Sequence, residues 1–483
     1  MSARLAPGAV IDGFLLEEKL HQGSMSGIWR VVRETEPGGE AMAMKIPLVS
    51  DFDDPAAIVG FEVEQMILPT LSGPHFPRFI ASGDFSRRPY IVMELLKGAS
   101  LRNRLSEAPL PADEVARIGA RVATALHALH VQHVIHLDLK PSNVMFRDSG
   151  EAVLLDFGLS RHDALPDLLQ EEFRLPMGTG PYISPEQVRH VRSDSRSDVF
   201  SLGVVLYHLA TGERPFGNPT TVRGLRRRLY RDPVPPRALV PDLPPWLQEV
   251  ILACLEVDSG ARPATAAQVA FQLQHPEQIV LTARAERLAR DGALAVARRR
   301  FRSLGEEPRP VAASLAAAPI ILLAIDLSQE SEALTNAMRT VALRVVHAEP
   351  GARLACVTVL KTSRIGMDVL ADEGGQSLHV RLLVELKHWS RPLGIAPDKI
   401  THHVLEAPDP ATAIIEFARD NNADQIVIGS RGSSTLRRYL GSVSSQVVAR
   451  AGCTVTVVKR AFRAAEAIAA PTEEPGEPSF RTD

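Results

Sequence analysis

HLDLKPSN at residues 136–143 and LLDFGLS at residues 154–160 are the stretches whose reading decides the fold of this chain. Asp138, Lys140 and Asn143 stand close together in the first, and Asp156 follows shortly after in the second. Transfer of a phosphoryl group asks a protein for little covalent chemistry. It asks for an oriented nucleophile and for neutralised negative charge. Asp138 can accept the proton of a substrate hydroxyl, and Lys140 can neutralise charge on the moving group. Asn143 and Asp156 offer the hard oxygen ligands that suit Mg2+.

Working outward, further strings follow in a fixed order. On the N-terminal side lie LHQGSMSGIW (20–29), AMAMK ending at Lys45, FEVEQMILPTL (61–71) with Glu64 on an expected helix, and YIVMELLKG (90–98). On the C-terminal side lie GTGPY (178–182), SPE (184–186), DVFSLG (198–203) and Arg262. This ordered set resembles the eukaryotic-like Ser/Thr protein kinases over roughly residues 13–275. The resemblance implies a bilobal α+β kinase fold that uses ATP and Mg2+ to phosphorylate Ser or Thr of protein substrates.

It also implies roles, residue by residue. Lys45 pairs with the nucleotide phosphates and with Glu64. Gly23, Ser26 and Ile28 belong to the nucleotide-covering segment, and Glu94 to Leu96 face the adenine, with Met93 as gatekeeper. Asp138 is the catalytic base, Lys140 its Ser/Thr-type companion and Thr179 the threonine that packs on that pair. Asn143 and Asp156 hold the metal, and Arg262 pairs with Glu186. His136 is architectural. Two departures matter. His21 and Ser26 stand where the family keeps glycines, and read alone this segment is also an ordinary Gly/Ser turn. Leu137 replaces the arginine that receives a phosphorylated activation loop, and an apolar residue cannot make that charge-assisted contact. The loop LSRHDALPDLLQEEFRLPM (159–177) matches that loss, because its only hydroxyl is Ser160. Glu171 and Glu172 can supply fixed negative charge there. Control is therefore expected from the covering segment, the Glu64 helix or the C-terminal region, without central-loop phosphorylation.

After the kinase-like region, residues 276–318 are rich in Ala and Arg. Arg284, Arg287 and Arg290 recur at helical spacing, which reads as a solvated connector helix or, alternatively, as a basic surface that docks on an acidic patch or a membrane. From residue 319 to 460 the apolar runs PIILLAID, RLACVTVLK, DQIVIGS and CTVTVVK alternate with amphipathic stretches such as LLVELKHW, the pattern of parallel strands with crossovers. Asp326 after the first run, and Gly429, Gly432, Gly441 and Ser442 in GSRGSSTLRRYLGS, resemble the universal stress protein family. That resemblance implies an α/β domain, adenine nucleotide held at Asp326 and the glycine loop, and homodimerisation. Eight residues stand between Gly432 and Gly441, one fewer than nucleotide-binding members usually have. Glycines that only turn the chain are the competing reading. Residues 461–483 read as a disordered tail.

Composition bounds the rest. Of 483 residues, 45% are apolar and 23% charged, with a net charge of -3, which argues against nucleic-acid binding. Cys254, Cys356 and Cys453 fit no zinc or redox spacing, and no run is long enough for a membrane span, so a cytoplasmic protein is expected. A nucleotide-binding scaffold without transfer is the alternative class. The altered glycine segment favours it, while Lys45, Glu64, Asp138, Asn143 and Asp156 together favour an enzyme.

Overall fold

The computed structural model describes residues 5–23, 26–36, 38–47, 55–85, 88–173, 175–292, 294–298, 301, 319–328, 331–349, 351–362, 377–430 and 442–459. Gly432 and Gly441, most of the connector from 302 to 318 and the tail from 460 lie outside these residues.

The first lobe is a six-stranded antiparallel sheet. Its strands are β1 (Val10–Ile11), β2 (Phe14–Gln22), β3 (Ser26–Arg33), β4 (Met42–Pro47), β5 (Phe79–Gly83) and β6 (Tyr90–Glu94), in the order β1-β2-β3-β4-β6-β5. Its apolar face gathers Leu16, Trp29, Val31, Met44, Ile46 and Val92. Helix α1 (Pro55–Ile67) leans on this lobe. It is buried on nearly every side, at Ile58 to Glu64 and at Ile67. A helix without a polar face must be enclosed by several neighbours. One is the LLDFGLS segment: a Cβ at Gly60 would stand 3.1 Å from the Gly158 carbonyl oxygen, so glycine here sets how closely α1 approaches.

The second lobe is helical. α2 (Ala112–Val131) packs on the central α5 (Arg196–Thr211), whose residues from Ser197 to Thr211 are all buried. Between α2 and α5 run β7 (Val134–Ile135), β8 (Val144–Phe146), β9 (Ala152–Leu154), β10 (Arg161–His162), α3 (Leu168–Glu172) and α4 (Pro185–Val188). Ser184 starts α4 with a reciprocal capping box with Gln187. α6 (Pro245–Cys254) and α7 (Ala266–Gln274) complete the lobe.

From Arg284 to Arg290 the connector corrects the expectation of a solvated helix, whereas residues 294–298 are helical and mostly exposed. Residues 279–292 are turns and irregular chain strapped to the second lobe. Arg284 pairs with Glu249 and Glu256, each at 3.0 Å, and Arg287 with Asp232 at 3.2 Å. Gln248 donates to the carbonyls of Arg284 and Arg287. The basic residues do meet acid, on the chain's own kinase domain.

The last domain is a five-stranded parallel sheet of β11 (Ile320–Ala324), β12 (Arg353–Lys361), β13 (Ile400–Ala407), β14 (Gln425–Ser430) and β15 (Thr454–Lys459), in the order β13-β12-β11-β14-β15. α8 (Glu332–Ala348) and α9 (Leu378–Ser390) cover one face, and α10 (Pro410–Asp420) and α11 (Ser442–Arg450) the other. Four strands match the apolar runs read from sequence. β13, with Thr401, His402 and His403 in its middle, was not among them. This domain packs against the kinase: Leu383 and Val404 join the same buried apolar cluster as Phe61, Leu168 and Leu169. Among the described residues no helix is long and apolar enough to cross a membrane.

Candidate active site

Two ionic clusters converge in the cleft between the lobes. In the first, Lys45 Nζ on β4 lies 2.5 Å from Glu64 Oε2 on α1 and 2.9 Å from Asp156 Oδ1. Burial alone would lower the Lys45 pKa, but Asp156 and Glu64 outweigh it and raise it, so the ammonium stays charged. The Lys45 charge in turn holds Asp156 down at about 2. Burial pushes Glu64 up against the pull of Lys45. Asp156 has φ of 64°, an uncommon value for a non-glycine residue, and its side chain is 42% exposed toward the cleft. A backbone held in that region aims the carboxylate outward, a strain of the kind found at functional sites.

In the second cluster, Lys140 Nζ lies 2.5 Å from Asp138 Oδ2 and donates to Thr179 Oγ1 at 3.1 Å. Thr179 donates through its hydroxyl and its N–H to Asp138 Oδ1, at 2.6 and 3.0 Å. Asn143 Nδ2 donates to the Asp138 carbonyl at 3.1 Å. Asn143 Nδ2 also lies 3.4 Å from Asp138 Oδ2, so the Asp138 carboxylate is fixed from three sides.

The loop carrying Asp138 is held from beneath by Asp198, which is fully buried on α5. It accepts from the N–H groups of His136 and Leu137, each at 2.8 Å, and contacts His130 Nε2 at 2.9 Å. His136 is fully buried, with its ring on Phe157 and Nε2 on the Leu155 carbonyl, an architectural placement. Leu137 is also buried, and its carbonyl accepts from Gln187. Arg262 makes the expected pair with Glu186 at 2.7 Å, without solvent exposure of its side chain.

Asn143 and Asp156 suit a divalent cation through their hard oxygens, and no group of three or more His, Cys, Asp or Glu forms a metal cage among the described residues. Two oxygen ligands with room for phosphate oxygens and waters are the donor set of Mg2+-type sites. Above the cleft, Gly23 donates to the Ser26 carbonyl and Ile28 pairs with Lys45 across β3 and β4. The Glu94 carboxylate is taken by Arg147 of the second lobe, and the Glu94 N–H donates to the Arg78 carbonyl at 2.9 Å. Arg147 was missed from sequence. So were Asp167, which caps α3, and the buried Arg192 that grips Asp167 at 2.9 Å. None of the three sits in a recognisable string.

In the last domain, Asp326 follows β11, and Ser328 donates to its Oδ1 by N–H and hydroxyl. Gly429 lies in β14, where a Cβ would stand 2.9 Å from Met338 Sδ of α8. Ser442 opens α11 and is exposed. β11 and β14 are neighbours at the point where strand order reverses, where open α/β sheets form their ligand crevice.

A bilobal fold with this pair of ionic clusters defines a phosphotransferase-type kinase domain followed by a second α/β domain. The chain belongs to the protein kinase family: the protein kinase domain model matches residues 14–276, and that of the universal stress protein family matches residues 319–459. The serine/threonine-protein kinase PknL of Mycobacterium tuberculosis is 32% identical over 270 residues, 55% of this chain and 66% of that protein. PknB of Mycolicibacterium smegmatis is 32% identical over 272 residues, 55% of this chain and 43% of that one. This chain therefore spans just under two thirds of the first relative and less than half of the second. The crystal structure of the Mycobacterium tuberculosis PknI kinase domain aligns with a TM-score of 0.45 at 23% identity, over 56% of this chain and 99% of that one.

Proposed function

We propose that this protein transfers the γ-phosphoryl group of ATP to Ser or Thr hydroxyls of protein substrates. The observation that carries the reading is the Asp138–Lys140–Thr179 triangle beside the closed Lys45–Glu64–Asp156 cluster. Asp138 takes the hydroxyl proton as the substrate oxygen bonds to phosphorus and ADP leaves. Lys140 offsets charge on the moving group, and Lys45 orients the nucleotide phosphates. A divalent cation, Mg2+ in this reading, would be held by Asn143 and Asp156 and would neutralise phosphate charge. Gly23, Ser26 and Ile28 would cover the nucleotide, with the Glu94 to Leu96 backbone on the adenine. The complete charged set argues against a scaffold without transfer. The test is labelled ATP and Mg2+ with a Ser/Thr substrate and the full chain. Asp138→Asn should lower transfer by about 10²–10⁴-fold with nucleotide binding retained. Equal rates for Asp138→Asn and wild type would remove Asp138 from its role.

The universal stress domain supports a second, narrower reading: an adenine nucleotide at Asp326 and the Gly429–Ser442 loop. The reversal of strand order between β11 and β14 favours it. Calorimetry with ATP decides the matter, comparing the full chain with Asp326→Ala. Equal heats from the two would leave the glycines as turns. β15 is bonded to β14 on one side only, which suits the proposed homodimer.

A further inference from the structure

We propose that the universal stress domain is a built-in activating clamp, which grips the activation-segment helix α3 through buried charged contacts and the Glu64 helix α1 through a half-exposed ion pair. The inference rests on the kinase reading above. It concerns how the active arrangement is held, which that reading leaves open.

The activation segment lacks both parts of a phosphate switch. No Ser, Thr or Tyr lies between Arg161 and Met177. Ser160 is buried and donates to the His136 carbonyl at 3.1 Å, out of reach of a phosphate donor. Leu137, in the place of the receiving arginine, is buried and carries no charge to meet a phosphate. The middle of the segment instead folds as α3, with Leu168 and Leu169 turned into the kinase core.

Glu171 and Glu172, at the end of α3, meet cations of the other domain. Glu171 pairs with Arg353, at the start of β12, and with His403 Nε2 on β13 at 3.0 Å. Glu172 lies 3.5 Å from His403 Nδ1 and 4.0 Å from His379 Nε2 on α9. Asn421 donates to the Glu171 carbonyl at 3.1 Å. The imidazole of His403 is fully buried, tilted against the Phe417 ring at 4.9 Å and 2.9 Å from the Thr401 hydroxyl. Fixed carboxylates thus stand in for a phosphate, and the cations come from another domain in place of the missing arginine.

The same domain also reaches α1. Lys387 on α9 pairs with Glu62 and lies over the Phe85 ring at 5.3 Å. Residues two apart on a helix point to different sides. Glu64 therefore faces Lys45 in the cleft while Glu62 faces the stress domain, and α1 is held from both sides. Three acids of the kinase face Arg353, Lys387 and His403, while His379 bonds Glu406 of its own domain at 3.0 Å. Burial alone would push His403 down, but Glu171 and Glu172 outweigh it and lift it to about 9. Burial would raise Glu171, but His403 and Arg353 hold it below its ordinary value. With these contacts made, the Lys45–Glu64 pair is closed and Thr179 sits on Asp138, so the clamp holds the competent state.

The experiment is a charge-reversal cycle in the full chain: Lys387→Glu, Glu62→Lys and the double variant. His403→Gln, which keeps a hydrogen bond but not a charge, serves as a second probe. Initial rates are measured together with hydrogen exchange of residues 55–67 and 168–172. Each single reversal and His403→Gln should lower the rate roughly 5- to 50-fold and speed exchange in both helices, and the double variant should recover most of both. Singles that are faster than wild type would make the contact inhibitory and overturn the proposal. Singles unchanged in rate and exchange would do the same. Should the wild-type chain show no transfer, the kinase reading fails by itself. Unchanged exchange in the singles would then still overturn the clamp, and faster exchange restored in the double variant would support it.

Discussion

The catalytic cleft and the contact between the two domains are both assemblies of carboxylates and cations, but their charges are arranged for different ends. In the cleft, Asp156 keeps 42% of its side chain exposed and Lys140 23%, so each can meet a ligand. At the domain contact the His403 side chain is fully buried and those of Glu171 and Glu172 are 8% and 5% exposed, so these groups meet other protein groups rather than a ligand. A charge kept for a ligand can be lost at the expense of rate alone. A charge buried against its partner leaves an uncompensated ion when that partner is removed, which is strongly destabilising.

The sharpest way to break this contrast is at the exposed carboxylate. Asp156→Asn should weaken metal-dependent nucleotide binding and lower transfer on the order of 10²–10³-fold, with little change in thermal midpoint. Mg2+ titrations of rate and a melting curve check both halves. A large fall in melting temperature would place Asp156 with the structural charges instead.

A smaller effect is expected where α1 touches the LLDFGLS segment. Gly60→Leu must push α1 away from the Gly158 carbonyl and so lengthen the Lys45–Glu64 pair. Overpacking of this kind costs about 1–3 kcal/mol. The rate should fall about 10-fold or more while the protein stays folded, measured as kcat beside a urea midpoint. Wild-type kcat in a folded variant would show that α1 does not govern the cleft.

The domain contact should carry a pH signature. His403 faces Glu171 and Glu172 of α3 and Thr401 of its own strand, with His402 beside it, Arg353 on Glu171, and His379 and Glu62 acting on Glu172. Its pKa is raised from 6.5 to about 9, so its contribution is fully present below pH 6.5 and is lost as pH rises through about 9. Glu171 is held low and adds a contribution lost only in acid. Burial raises Glu172, which favours its neutral form and adds to the preference for lower pH. The urea midpoint of wild type should exceed that of His403→Gln most below pH 6.5, and the gap should close above pH 9. A gap constant across that range would contradict a charged His403.

The same contrast explains what was legible in the sequence. Asp138, Lys140, Asn143 and Asp156 lie in two short strings, so their joint chemistry could be read without a fold. Lys45, Glu64, Thr179 and Arg262 were readable as members of an ordered set. The domain contact was not, because Glu62, Glu171, Lys387 and His403 come from distant segments and form no string. Strand β13 was missed for the same reason: its central Thr-His-His interrupts the apolar pattern, and His403 is polar because it faces kinase carboxylates rather than oil. Arg284 and Arg287 misled by spacing. Their interval is helical, but Gln248 and the acids of the second lobe hold that stretch as an irregular strap.

The smallest effect expected is none at all, and it bears most directly on the claim that fixed contacts, not a loop phosphate, hold this kinase active. The active full chain is treated with a phosphatase, dephosphorylation is confirmed by mass spectrometry, and the initial rate is measured. The account predicts a rate within about twofold of the untreated protein, since the segment from Arg161 to Met177 offers no hydroxyl and the Glu171 and Glu172 contacts need no phosphate. A large loss of rate, traced to a phosphorylated residue between Asp156 and Glu186, would contradict it.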